Sequence, residues 1–444
     1  MDFDAWLPRS AALRPGHPAL VADDGTVTTY AQLHAAACRT AAALADRGVG
    51  EGDRVAVALP PGLPYVATLH ALLGLGATLV PLDGRLSDEE RADRARGAKL
   101  TVDAPLDTAA PGAPERPLRE RLDPDAVATL LHTSGTTAAP KPVALTVSNW
   151  QWNALGSALA LGLDRDERWL CTLPLSHVGG LSILIRSAVY GTTVVLHERF
   201  DADRVAAALA SEQQRITLVS LVATTLRRTL DAGLDQPPHL RCALIGGGPL
   251  PPALQQRAAA AGVPAAQTYG MTEACSQVTT SLPGEPETAG RALAGQQVAI
   301  SDDGEILVRG ATVARGALAD DGWLHTGDLG ALDARGRLTV TGRKADTIVS
   351  GGENVAPQEV EAVLLEHPAV ADAGVHGRPD PEWGEAVVAT VVVRDGHAPD
   401  AALIAALRDH VGGRLARFKV PKQVAFATEL PRTASGKLLR RQLR

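Results

Sequence analysis

Cysteine, methionine and aromatic residues are scarce in this chain. Four cysteines stand among 444 residues, at Cys38, Cys171, Cys242 and Cys275, and no two have the CxxC spacing of a zinc or redox site. That argues against a disulfide framework and for buried free thiols in a reducing compartment. Phe, Tyr and Trp make up only 3% of the chain, so Ala, Leu and Val must fill the core. An excess of positive charge is missing too. With 43 basic and 50 acidic residues the formal charge is −7, which gives no footprint for nucleic acid or an anionic membrane. The longest weakly charged stretch, 65–82, has the length of a membrane span. Gly74, Gly76 and Pro81 divide it, so it reads as buried helix, turn and strand rather than a span. The N-terminal MDFDAWLPRS is acidic and has no apolar h-region, so no secretory signal is expected and the expected location is cytoplasmic.

What is present is the texture of an α/β protein. A chain of 444 residues exceeds one hydrophobic core, so at least two domains are expected. From Val55 to Ala266 short apolar runs read as strands: VAVAL (55–59), TLVPL (78–82), WLCTL (169–173), TVVLH (193–197), TLVSLV (217–222) and CALIG (242–246). Between them 148–161, 201–212 and 252–261 have helical spacing. This alternation predicts a largely parallel sheet. The Pro-rich and charged stretch 103–125 reads as an exposed connection between two α/β halves. After Gly290, GQQVAI, GEILVRG and GRLTVTGR suggest a small antiparallel subdomain. Residues 347–444 give a compact α+β pattern, with helices at 357–366 and 400–412 and strands near 370–375 and 386–393.

Five segments carry candidate chemistry. LLHTSGTTAAPK (130–141) runs an apolar strand into a Ser/Thr/Gly cluster and a lysine, which suits phosphate oxygens but lacks Walker-loop spacing. QTYGMTEACSQ (267–277) offers Tyr269 to stack on a base, Thr272 to bond phosphate and Glu273 to ligate Mg²⁺. GWLHTGD (322–328) ends in an aspartate able to accept two ribose hydroxyls. GRKADTIVSGGENVAPQEVE (342–361) and PRTASGKLLRRQL (431–443) add an arginine, a Gly–Gly turn and a Gly–Lys before a basic end. Read alone, each fits an ordinary polar loop, capped turn or charged terminal helix as well.

Together and in this order, the five resemble the adenylate-forming superfamily of acyl-CoA synthetases, peptide-synthetase adenylation domains and luciferases. The resemblance covers nearly the whole chain. It implies a large N-terminal AMP-binding domain (1–343) with mostly parallel α/β sheets and a small β subdomain, a hinge (344–346), and a small mobile α+β domain (347–444). It also implies roles, position by position. Thr133, Ser134, Gly135, Thr136, Thr137 and Lys141 would hold the β- and γ-phosphates of ATP. Gly246, Gly247, Gly248 and Pro249 would line the adenine, with Tyr269 against the base. Thr272 would contact phosphate, Glu273 would hold Mg²⁺, Asp328 would bind the ribose and Arg343 would reach the nucleotide. Lys437 would bridge the substrate carboxylate and the α-phosphate, and Gly351 and Gly352 would face the pantetheine of coenzyme A. Three positions depart from the pattern: Ala138 and Ala139 replace Gly–Lys, and Pro142 replaces Gly. At the hinge, Ala345 replaces an acidic or polar residue.

Within the superfamily, residues 149–191 resemble the o-succinylbenzoate–CoA ligases of menaquinone biosynthesis, as do IGGGPLPPAL and QTYGMTEACSQ. The resemblance puts His177, in LSHVGG, at the border of the acyl pocket. A dicarboxylic substrate would enter with one carboxylate still ionised, and an unpaired buried charge costs several kcal/mol. Ser176, His177, Arg186 and Gln277 are the candidates to meet it. Two other readings stand beside this one: a ligase for a different acid, and a module that loads a carrier protein. No carrier-like serine segment follows the last motif, which weighs against the second. A homo-oligomer is left open.

Overall fold

The structure, a computed structural model, describes residues 2–106, 114–133, 141–433 and 438–443. The apolar runs between Val55 and Ala266 form strands in two sheets. Arg54–Val57, Thr78–Pro81 and Leu100–Val102 pair in parallel, Val127–His132 joins beside Thr78–Pro81, and Pro142–Thr146 closes that five-stranded sheet antiparallel. A nine-stranded sheet holds Pro18–Val21, Thr193–Leu196, Arg168–Cys171, Leu218–Val222, Cys242–Gly246 and Ala265–Met271 in a parallel run, with antiparallel strands at both edges.

Stretch 65–82 becomes helix Leu63–Leu75 and strand Thr78–Pro81. The helix is apolar on every side and is buried nearly throughout, as such a helix must be. Gly76, at φ 74, ends it in the left-handed cap that glycine allows. No helix among the described residues is long and apolar enough to cross a membrane. Helix Val147–Leu161 starts at a capping box in which Thr146 and Asn149 satisfy each other's backbone N–H groups.

The antiparallel texture after Gly290 becomes a four-stranded sheet of Gln296–Ile300, Glu305–Gly310, Leu324–Leu332 and Leu338–Arg343. A 3₁₀ turn, Lys344–Asp346, follows. Beyond it Ile348–Ser350, Glu353–Val355, Val370–Asp380, Gly384–Val393 and Gln423–Ala427 form a separate five-stranded sheet, and helices Pro357–Leu365 and Ala401–Gly412 share a core of their own with it. Strand Val370–Asp380 runs further than the expected 370–375. It contains Pro379, which its edge position tolerates. Within stretch 103–125, Arg121–Leu122 pairs with Phe3–Asp4, and 107–113 lie outside the described residues.

Candidate active site

The strand ends of the large domain bring Tyr269, Asp328 and Arg343 together. Asp328 and Arg343 are register partners on adjacent antiparallel strands, so their side chains leave the same face. Arg343 Nε donates to Asp328 Oδ1 at 2.6 Å, and the Tyr269 hydroxyl donates to Oδ2 at 2.9 Å. Burial pushes the Tyr269 phenol far above its usual range, and the Asp328 charge adds to that. Tyr269 is therefore a neutral donor at any working pH. Each Asp328 oxygen keeps a free lone pair, which is what two vicinal hydroxyls require.

Gly246 ends strand Cys242–Gly246, and Gly247 turns the chain at φ 76. A Cβ on Gly248 would meet nothing within 4 Å, so the loop borders open space. Gly270 is the opposite case. A Cβ there would stand 1.7 Å from the Ser276 carbonyl oxygen. This close approach folds 271–276 into a tight turn, with Cys275 at φ 54 and Ser276 at φ 86. Such left-handed residues cost of order 1–3 kcal/mol each and persist only where the surroundings fix them. The 3₁₀ turn Thr272–Ala274 presents Thr272 and Glu273 as a result, and the Ala314 N–H holds the Glu273 carbonyl at 2.8 Å.

Among the described residues the Glu273 carboxylate has no hydrogen-bond or ion-pair partner. The described residues also hold no cluster of three His, Cys, Asp or Glu that could cage a metal. A single carboxylate suits Mg²⁺ held mainly by phosphate oxygens and water. Thr133 and Lys141 close the neck of the Ser/Thr/Gly loop. The Thr133 N–H donates to the Lys141 carbonyl at 3.0 Å, and the Lys141 N–H to Thr133 Oγ1 at 3.3 Å. Ser134, Gly135, Thr136 and Thr137 lie outside the described residues, as do Ala138 and Ala139.

In the segment expected to border the acyl pocket, His177 is the N-cap of helix Val178–Tyr190. Its Nε2 is buried without a partner among the described residues. Burial lowers the imidazole below its usual value while Asp83 pulls the other way. Ser176 donates to Asp83 Oδ2 at 3.3 Å, and Asp83 also takes Arg85 at 2.7 and 2.8 Å. Burial alone would raise the Asp83 carboxyl, but the Arg85 bonds outweigh it and bring it down to about 2. Arg186 and Gln277 are placed differently from this pair. Arg186 is fully buried, donates at 2.6 and 3.1 Å to Asn153 Oδ1, and lies over the Trp169 ring. Gln277 Nε2 donates to Thr280 Oγ1 at 2.8 Å, its backbone carbonyl accepts from Gln296 Nε2 at 2.8 Å, and its side-chain Oε1 has no partner among the described residues.

In the C-terminal unit Gly351 (φ 62) and Gly352 (φ 83) form the two-residue tip of a hairpin, a turn that requires positive φ at both positions. Lys437 lies outside the described residues. Arg440, three residues on, is well placed: it reaches Asp346 at 3.0 Å, Glu361 at 2.7 and 2.9 Å, and the Val375 carbonyl at 3.2 Å. On the other side of the turn Lys344 pairs with Asp303 at 2.6 Å and Glu305 at 3.1 Å. Lys344 and Asp346 fall in the expected hinge, 344–346, whereas Arg440, Asp303 and Glu305 were not singled out. The only sequence sign was the basic run after the Gly–Lys, and Asp83 and Arg85 lay in a stretch without a motif.

A large α/β domain with a nucleotide-sized set of donors and acceptors at its strand ends, joined through a short turn to a small α+β domain, defines an adenylate-forming enzyme. The chain belongs to the AMP-binding enzyme family: residues 7–103 and 96–318 match the AMP-binding enzyme model, and 359–437 match the AMP-binding enzyme C-terminal domain. It is 40% identical to the 2-succinylbenzoate–CoA ligase of Bacillus subtilis, over 99% of this chain and 97% of that protein. The o-succinylbenzoate–CoA synthetase of Bacillus subtilis, solved with its acyl-adenylate intermediate, superposes with a TM-score of 0.91 at 38% identity, covering 100% of this chain and 98% of that one. The same enzyme with ATP and magnesium ion superposes at 0.90 and 37% identity, covering all of both chains.

Proposed function

We propose that this chain is an AMP-forming acid–thiol ligase that activates 2-succinylbenzoate and transfers it to coenzyme A. The observation that carries the reading is the Tyr269–Asp328–Arg343 group beside the Gly246–Pro249 loop, in a chain similar over its full length to 2-succinylbenzoate–CoA ligases. A carboxylate cannot expel oxide, so its oxygen attacks the α-phosphorus of ATP and pyrophosphate leaves. The acyl-adenylate then carries AMP as leaving group, and the thiol of coenzyme A displaces it.

Both reactants of the first step are anions, so catalysis is largely positioning and charge neutralisation. In this reading Asp328 fixes the ribose, Arg343 and Tyr269 hold Asp328, and Gly246, Gly247, Gly248 and Pro249 line the adenine. Thr133 and Lys141, with 134–137, grip the pyrophosphate end, and Thr272 contacts phosphate. Glu273 would hold Mg²⁺, which neutralises phosphate charge. Lys437 supplies the cation between carboxylate and α-phosphate. His177 and Ser176 border the acyl pocket. The unit after Lys344–Asp346 turns between the steps and brings Gly351 and Gly352 to the pantetheine. A cytoplasmic location suits this chemistry and the four free thiols.

The test is the ratio of kcat/KM, read as AMP release, for 2-succinylbenzoate and 4-phenyl-4-oxobutanoate. The monocarboxylate lacks the ring carboxylate and leaves pocket donors unpaired, so it is expected to be the markedly poorer substrate. Equal use of the two acids, or a fatty acid better than both, overturns the substrate assignment and leaves acyl-CoA ligation standing.

A further inference from the structure

Helix Ala223–Asp231 buries Leu226 and Leu230 in the large domain's second core. Its two adjacent arginines go separate ways. Arg228 lies over the Phe200 ring at 5.2 Å, inside the same domain. Arg227 crosses the boundary instead, and its Nη1 donates to the Ala371 carbonyl of the C-terminal sheet. Between described residues it is the one side-chain hydrogen bond that joins the two units away from the Lys344–Asp346 turn.

The acceptor is unusual. In strand Val370–Asp380 the register passes from Val370↔Val393 to Asp372↔Val392, so Ala371 is the extra residue of a bulge and has no register partner. The next residue, Asp372, is a charge neighbour of Arg227 and holds Arg432 at 2.8 and 2.9 Å. Arg432 in turn forms an antiparallel bridge with Leu438, closing the base of the segment that carries Lys437. A continuous path therefore runs from a large-domain helix, through Ala371 and Asp372, to the Arg432–Leu438 bridge. In the two-step reading, a rotation about 344–346 would carry strand Val370–Asp380 away from the helix and break the Arg227 bond. A contact made in one state alone biases the equilibrium between them.

We propose that Arg227 is a positioning residue for adenylate formation, docking the C-terminal domain against the large domain for that step and releasing it when the domain turns for thioester formation. The inference rests on the two-step ligase reading above. It is tested with full-length Arg227→Ala and Arg227→Lys against the wild type in two separate assays. One is single-turnover acyl-adenylate formation without coenzyme A. The other is thioester formation from supplied acyl-adenylate and coenzyme A. Arg227→Ala is expected to slow the first step about tenfold or more, the usual effect of losing a charged hydrogen bond, with the second unchanged or faster. Arg227→Lys should recover part of the loss. Asp372→Asn should reproduce the same split, which keeps the idea testable if Arg227→Ala folds poorly. Equal losses in both steps, or no loss in either, overturn the proposal. The wild type's own adenylation rate reads out the function separately. If it activates a different acid, the comparison is made with that acid; if it activates none, both readings fall.

Discussion

Asp328 joins two side chains and, in the proposed reading, a ligand as well. Its oxygens already accept from Arg343 and Tyr269, which fixes the carboxylate plane before nucleotide arrives. Asp328→Ala removes both the acceptors and the orientation, and leaves the Arg343 charge without its partner. A hydrogen bond to a charged group contributes about 1.5–3 kcal/mol, so ATP affinity should fall about 10- to 100-fold. Calorimetric titration with ATP checks this, and an unchanged affinity removes Asp328 from the nucleotide site. Asp83 gives a pH prediction. The Arg85 bonds outweigh burial and bring its carboxyl to about 2, below the unfolded value of about 3.9. A depressed carboxylate contributes stability above its unfolded pKa and loses it as pH falls through the folded one. Asp83→Asn should therefore melt below the wild type at pH 6, and the gap should narrow between about pH 4 and 2. A gap that stays constant over that range contradicts the assignment. The aspartate in GWLHTGD was legible because its neighbours form a motif. Asp83 was not, because Ser176 and His177 reach it across about ninety residues of chain and leave no local pattern.

Turns and strands show the same division. The runs at 193–197 and 242–246 were recognisable because parallel strands buried on both faces are continuously apolar. The pairing of Thr193–Leu196 with Pro18–Val21 was not, since register depends on contacts far apart in sequence. Glycines carry the sharper element-scale tests. Gly270→Ala places a methyl against the Ser276 backbone, which has no flexible end to move. Turn 271–276 must open, and Thr272 and Glu273 move with it. The expected cost is about 1–3 kcal/mol in denaturant unfolding, with loss of adenylation. Gly248→Ala meets open space, so stability should stay within about 0.5 kcal/mol. If that loop lines the adenine, ATP affinity falls even so. The idea fails if Gly248→Ala binds ATP as the wild type does, or if Gly270→Ala is as stable as the wild type.

At the scale of the whole molecule, the two units are tied to the turn between them from opposite sides. Lys344 is held by Glu305 of the four-stranded sheet and by Asp303 in the turn that precedes it, and Asp346 by Arg440 of the C-terminal unit. Ala345 lies between the two anchors with a side chain too small for either. The change in texture after GRKAD was visible in sequence, whereas these anchors pair residues about forty and ninety positions apart and were not. Arg440 follows Lys437 by three residues and is itself anchored on Asp346 and Glu361. In the proposed reading the Lys437 charge is needed only while the carboxylate attacks the α-phosphorus, since the adenylate presented to coenzyme A no longer brings two anions together. Lys437→Ala should slow adenylate formation by about 10²–10³, the usual effect of removing one group that stabilises developing charge. Thioester formation from synthetic acyl-adenylate and coenzyme A should be largely retained. Equal losses in the two assays would place Lys437 in both steps, and its assignment to the first step alone would then be wrong.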